Sequence, residues 1–265
     1  MWGRGVKWGL GLGLLLSPSA ALAGAWTLPA GTGQAIVTAD LSSASKAFDA
    51  SGALQAIPRY DKYELQGWLE YGVTDKLTAI FAPGLQSVDI AAPIDANRSG
   101  LGYTELGGRY SLFTGQSWVA SGQVTVRIPG TTDTSNPAAI GYTDVQTDVR
   151  GLVGTSFTVY GMPAFVDVEL AERFRTGAAP NEFRADFTFG VQPAERWTLM
   201  AQSFNVISEG SGSPPFSRYQ YYKLQLSALY AVTKSWSLQF GGFTTYAGGN
   251  ALQENGLVLG AAYRF

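Results

Sequence analysis

Polar and apolar side chains take turns along much of this chain. From residue 182 to 191, Glu182, Arg184, Asp186, Thr188 and Gly190 fall on one face, and Phe183, Ala185, Phe187, Phe189 and Val191 on the other. A strand sends successive side chains to opposite faces, so a period of two marks a sheet with one polar and one apolar surface. The pattern recurs at residues 144–153, 164–170 and 222–232, where Asp148 and Arg150, Asp167 and Glu169, and Lys223 and Gln225 alternate with Val, Leu, Ala and Tyr.

Extended along the chain, the alternation predicts twelve strands. They cover residues 33–42, 60–73, 77–87, 101–113, 118–128, 144–157, 164–175, 182–191, 197–207, 219–232, 236–246 and 254–265. Most reach ten residues, whereas strands of soluble proteins run to about five or six. A strand tilted across a bilayer needs about nine to eleven. The connections also alternate. Those at 74–76, 114–117, 160–163, 192–196 and 233–235 are tight, and those at 43–59, 88–100, 129–143, 176–181, 208–218 and 247–253 are mostly longer and rich in Gly, Ser, Pro and Asn. Short turns at one end and long loops at the other are the pattern of a membrane barrel. An even strand count leaves both termini at the short-turn end. The expected fold class is therefore all-β, a transmembrane antiparallel up-and-down β-barrel of about twelve strands. Closure follows from the solvent, because an unpaired strand edge in hydrocarbon costs several kcal/mol per group. One sequence feature disturbs this regularity. Pro83-Gly84 falls within the third strand, where proline removes a ladder donor; a simple bulge or kink, or a strand end at this point, is the expectation there, and a side exit towards the bilayer for apolar solutes is the rarer alternative.

Aromatic residues mark the two expected membrane boundaries. Trp118, Trp197 and Trp236 each open a strand after a short turn, with Tyr110, Tyr230 and Phe265 at the same level. Tyr63, Phe81, Phe183, Tyr222 and Tyr246 are placed towards the long loops. The last strand alternates Leu257, Leu259, Ala261, Tyr263 and Phe265 on its outward face. Its ending resembles the outer-membrane assembly signal of bacterial barrels, with Tyr263 and Phe265 as the aromatic pair, and this implies the barrel-assembly machinery as a partner.

The chain opens differently. Arg4 and Lys7 precede an apolar stretch at residues 9–16, then Ser17-Pro18 and the small-x-small motif Ala21-Leu22-Ala23. This reads as a secretory signal peptide over residues 1–23, leaving a barrel over residues 24–265. Cleavage after Ala23 is the first choice, and Ala23-Gly24-Ala25 offers a second site after Ala25. Removal of the segment takes away two cations and moves the net charge from −2 to −4. Residues 24–32 are too short for the long plug of an energy-coupled transporter.

Composition narrows the chemistry. There is no His and no Cys, so no catalytic triad with imidazole, no His or Cys zinc site and no disulfide. A net charge near zero without a basic run argues against nucleic acid. No spacing supports a metal or another cofactor, and the carboxylates of the inner row are expected to satisfy arginines, not to act as an enzyme's acid and base. That inner row carries whatever function the barrel has. Its candidate lumen-lining network is Glu105, Arg109, Arg127, Asp144, Asp148, Arg150, Asp167, Glu169, Arg173, Arg184, Asp186 and Lys223. Asp148/Arg150, Asp167/Glu169 and Arg184/Asp186 come from consecutive strands and should form a cross-strand ion network. Two readings stay open: a lattice that stiffens a filled lumen, and a selectivity region along a narrow aqueous path.

Residues 165–202 read FVDVELAERFRTGAAPNEFRADFTFGVQPAERWTLMAQ. With YTELGGRYSL at 103–112, QVTVRIPG at 123–130 and the closing strand, the chain resembles the XagA-like family of bacterial outer-membrane proteins and is similar to outer-membrane proteins of phenol-degradation pathways. The first resemblance implies a link to surface polysaccharide, the second uptake of small aromatic or apolar compounds. The function expected is that of an outer-membrane barrel acting as a passive channel or facilitator for small solutes, embedded in outer-membrane lipid. The alternative is a low-conductance barrel accessory to polysaccharide export or surface attachment.

Overall fold

A computed structural model describes residues 24–265, so the signal-peptide segment lies outside the described residues. The architecture is a closed twelve-stranded antiparallel barrel. In chain order the strands are β1 (Gly33–Phe48), β2 (Leu54–Thr74), β3 in two pieces (Leu77–Ala82 and Gly84–Ile90) and β4 in two pieces (Ala96–Leu101 and Thr104–Thr114). Then come β5 (Trp118–Ile128), β6 (Gln146–Val159), β7 (Met162–Arg175), β8 (Glu182–Ala194), β9 (Trp197–Ser208), β10 (Gln220–Ala231), β11 (Trp236–Gly249) and β12 (Asn255–Arg264). Each strand pairs with its neighbours in sequence. β1 closes the ring by pairing with β12 from Gln34↔Arg264 to Ser43↔Asn255, and with β2 on its other side.

The apolar face points outward. Leu65, Leu85, Leu106, Val124, Leu170, Leu226, Leu238 and Leu259 are all exposed, while Gln34, Thr78, Gln123, Asp148 and Asp167 on the opposite face are buried. That inversion is what a sheet in lipid requires: hydrocarbon replaces a second protein layer, and the polar row turns to the lumen. The boundary rings stack in register. Trp197 lies opposite Tyr230 with ring centroids 4.9 Å apart, Trp236 lies opposite Tyr263 at 4.8 Å, and Tyr263 stacks on Phe265 at 6.0 Å. Tyr222 and Tyr246 meet at 6.3 Å near the long-loop end. Phe81 departs from the expectation. It is the fifth residue after the short turn, opposite Leu69 and Leu106, which sets it in the middle of the wall.

Three of the expected long loops are largely strand. Residues 43–59 continue the β1–β2 ladder to Phe48↔Leu54, and the turn is closed by Asp49, whose Oδ1 accepts from the Ser51 and Ala53 N–H groups at 2.8 and 3.0 Å. Residues 88–100 pair as far as Ile90↔Ala96, and residues 247–249 extend β11 against β10. Composition suggested loops, but once register is set by the wall, every further residue pair gains a ladder bond. The small polar side chains there fit a strand standing in water.

The Pro83 break is mended locally. Pairing is intact on both flanks, with Ala82↔Glu105 and Leu69↔Phe81 below it and Leu85↔Leu101 and Gln66↔Gly84 above. Gly67 N–H still donates to the Pro83 carbonyl at 2.8 Å. Proline lacks the return donor, and the Gln66 amide replaces it, donating to the Gly67 and Pro83 carbonyls, each at 3.1 Å. The break is a local irregularity, and the alternative of a side exit falls because both flanks stay paired.

Candidate functional site: the lumen and its strap

The lumen is lined from several strands at once, because residues two apart on a strand share a face and neighbours in register complete the layer. On the β6–β8 wall, Arg150 is a hub. It meets Asp148 of its own strand at 3.3 Å, Glu169 of β7, and Asp186 of β8 at 2.7 Å. Arg173 joins Asp148 at 3.0 Å and Glu182 at 3.6 Å. Arg184 turns to Glu182 at 3.0 Å, and Arg175 joins Glu182 at 3.3 Å and Asp144 at 3.5 Å. Asp144 sits just before β6 and not within it. Just before β10 the Tyr219 hydroxyl donates to Glu182 at 2.6 Å, and burial pushes that phenol well above its usual range.

The other candidates fall into separate groups. Arg109 bonds Glu70 at 2.7 Å and Gln123 at 3.1 Å. Arg127 pairs with Glu105 at 2.7 Å, bonds Gln146 at 2.8 Å and lies 4.4 Å above the Tyr103 ring. Lys223 stands apart from the arginine hub. It pairs with Glu254 at 3.1 Å, and Lys62 reaches the same carboxylate at 3.4 Å. Asp167 makes none of these ion pairs. Its carboxylate, 1% exposed, accepts the Ala25 N–H at 2.9 Å.

That last contact belongs to a feature the alternation gave no reason to expect. Residues 24–32 run inside the barrel as a strap. The Ala25 carbonyl accepts from Ser121 at 2.9 Å, and the Trp26 carbonyl accepts from Arg109 at 2.9 Å. Leu28 N–H donates to Thr78 at 2.9 Å, and Ala30 N–H to Asp75 in the short β2–β3 turn at 3.0 Å. The Trp26 indole meets Phe165 edge-on at 6.3 Å and packs on an inner apolar cluster of Phe165, Met200 and Leu229 and on a second of Ala25, Val119 and Leu152. Gly154 is where this close approach needs glycine, since a β-carbon there would collide with the indole. The inner face is thus not only charged and amide. An apolar ring at the short-turn end receives the strap, because a buried tryptophan must find apolar surface. The signal available in the sequence was the group Ala25-Trp26-Leu28, apolar residues ahead of β1 with no strand of their own to join.

The opposite mouth is narrowed by residues 129–145. The Tyr103 hydroxyl donates to the Gly141 and Asp144 carbonyls at 3.2 and 3.1 Å, and Arg175 donates to Gly141 at 2.9 Å. Ala138 and Ala139 are buried, and the Tyr142 ring lies 6.2 Å from that of Tyr103. The loop therefore ties β4 to β7 across the opening.

Among solved structures, the chain is similar to the COG4313 outer membrane channel from Pseudomonas putida F1, with a TM-score of 0.75 at 15% identity over 91% of this chain and 98% of that one. It is also similar to the translocator domain of the autotransporter NalP from Neisseria meningitidis, with a TM-score of 0.53 at 12% identity over 88% of each chain. The fold is that of outer-membrane barrels. The NanC porin aligns with a TM-score of 0.50 at 9% identity, over 85% of this chain and 98% of that one. No protein-family model matches the chain, and no curated protein sequence matches it.

Proposed function

We propose that this chain is an integral outer-membrane barrel that acts as a passive channel for small solutes. The observation that carries the reading is the continuous charged stripe on the β6–β8 wall. It runs from Asp144, Arg175 and Glu182 at the long-loop mouth, through Arg173, Asp148, Arg150 and Asp186, to Glu169 and Asp167 beside the strap. A row of ionised groups on the inner wall offers a polar solute partners along its length and leaves the outer wall free to be apolar. The neighbours in fold include proteins described as a channel and as a porin, which supports the same direction.

The rival reading, a low-conductance barrel accessory to polysaccharide export or surface attachment, draws on the strap and the inward loop, which both occupy lumen. The XagA-like resemblance points the same way, whereas the phenol-pathway resemblance directs the choice of solutes to small aromatic and apolar compounds. The outward Tyr263 and Phe265 fit delivery by the barrel-assembly machinery. Planar-bilayer recording, with liposome swelling across sugars, amino acids and aromatics, tests the proposal. Stepwise conductance and solute-dependent swelling are expected. A silent bilayer with correctly folded barrel would transfer support to the accessory reading.

A further inference from the structure

The buried Asp167 carboxylate raises a question of charge. Asp148, Asp167, Glu169 and Asp186 share the inner wall around Arg150, Arg173 is divided between Asp148 and Glu182, and Arg109, the cation that acts on Asp167, spends its donors on Glu70, Gln123 and the Trp26 carbonyl. A carboxylate 1% exposed is costly without a cation or a full set of donors. The strap ends at this point. Ala25 N–H is bonded to Asp167, and the Gly24 α-carbon lies so close to Glu169 that a β-carbon on it would collide with that carboxylate and crowd Leu152. The Gly24 nitrogen is one bond from that α-carbon.

We propose that the chain is cut between Ala23 and Gly24, and that the α-ammonium so created is the counter-ion of the Asp167–Glu169 pair, anchoring residues 24–32 inside the barrel. Hydrolysis of the Ala23–Gly24 amide adds water across the bond. The Ala23 acyl group leaves as a carboxylate, and the Gly24 amine takes up a proton, since a free α-amine is mostly protonated at neutral pH. Before cleavage the same nitrogen is a neutral amide, so the charge that completes the lumen is made by processing. The second sequence-compatible site, after Ala25, is disfavoured by the same contacts. It would discard a residue that is 1% exposed and bonded through both its N–H and its carbonyl. Glycine at position 24 has a reason too, because any β-carbon there would push the Glu169 carboxylate out of its present place.

The test begins with N-terminal sequencing and intact mass of the protein recovered from membranes. A chain starting Gly-Ala-Trp is expected, and a start at Trp26 would overturn the proposal. Reductive methylation at pH 7, read by peptide mapping, then follows the Gly24 amine. It should react about tenfold or more slowly in the folded barrel than in the heat-unfolded chain. Equal rates would sink the anchoring. Glu169→Gln with Asp167→Asn should restore fast labelling while the heat-dependent gel shift of a folded barrel persists. Should that pair of changes prevent folding, refolded protein with Gly-Ser added before Gly24 leaves the wall intact and moves the ammonium by roughly 7 Å. Slow labelling in that variant would equally count against an ion pair. None of these measurements depends on whether the barrel conducts.

Discussion

Arg150 reaches past an entire strand to Asp186, Nη1 to carboxylate oxygen at 2.7 Å, with β7 lying between their own strands β6 and β8. One guanidinium thereby ties three strands, since it also holds Asp148 and Glu169. Removing it strands carboxylates that are buried or nearly so. Breaking a buried pair by deleting one partner costs about 3–5 kcal/mol. Arg150→Ala should therefore lower the unfolding midpoint in urea, read by the gel shift of folded against unfolded barrel. In bilayers the uncompensated negative charge should shift the reversal potential towards cation preference. A variant with wild-type stability and selectivity would show that the hub is not a unit.

Trp26 fills space in the lumen against Phe165, Met200, Leu229 and Leu152. Trp26→Ala should open that space. Deleting a large aromatic from a packed site costs about 3 kcal/mol or more, which here falls on the strap's attachment, because the wall strands keep their ladders. Single-channel conductance should rise severalfold with little change in barrel unfolding. An unchanged conductance would mean that the strap does not limit the path.

Gln66 and Pro83 form a compensating pair. Gln66→Leu leaves the Gly67 carbonyl without its donor, at a cost of about 1–3 kcal/mol. Pro83→Ala returns a backbone N–H at the register position facing Gly67. The double variant should therefore be more stable than Gln66→Leu alone. A four-cornered cycle of urea midpoints measures this, and simple additivity would refute the exchange of donors.

Asp49 closes the β1–β2 hairpin outside the membrane. Its carboxyl is held down at about 2 from an ordinary 3.8, chiefly by the Ser51 hydroxyl, then by the Ala53 and Ser51 N–H groups. A depressed folded value means that the contribution is complete above pH of about 4 and is lost as pH falls towards 2. Carbon-detected titration of Asp49 in micelles should show this low midpoint, and Ser51→Ala should raise it. A midpoint near 3.8 in the wild type would remove the claim.

The sequence by itself determined the sheet. Alternation at 182–191, strand lengths suited to a bilayer, tight turns opened by Trp118, Trp197 and Trp236, and the closing Tyr263-x-Phe265 are local patterns, and the period of two is a direct print of strand geometry. It also determined which residues face inward, because phase along a strand fixes face. Tertiary structure decided what those residues meet. Whether Arg184 turns to Glu182 or Asp186, whether Lys223 joins the arginine hub or Glu254, and that Asp167 answers to Ala25, all depend on register between strands and on which side chains reach across a curved wall. The strap was hidden for the same reason. Residues 24–32 carry no periodicity, and their place was set by an apolar ring assembled from β5, β6, β7, β9 and β10, strands far apart in the chain, which exists only once the barrel has closed.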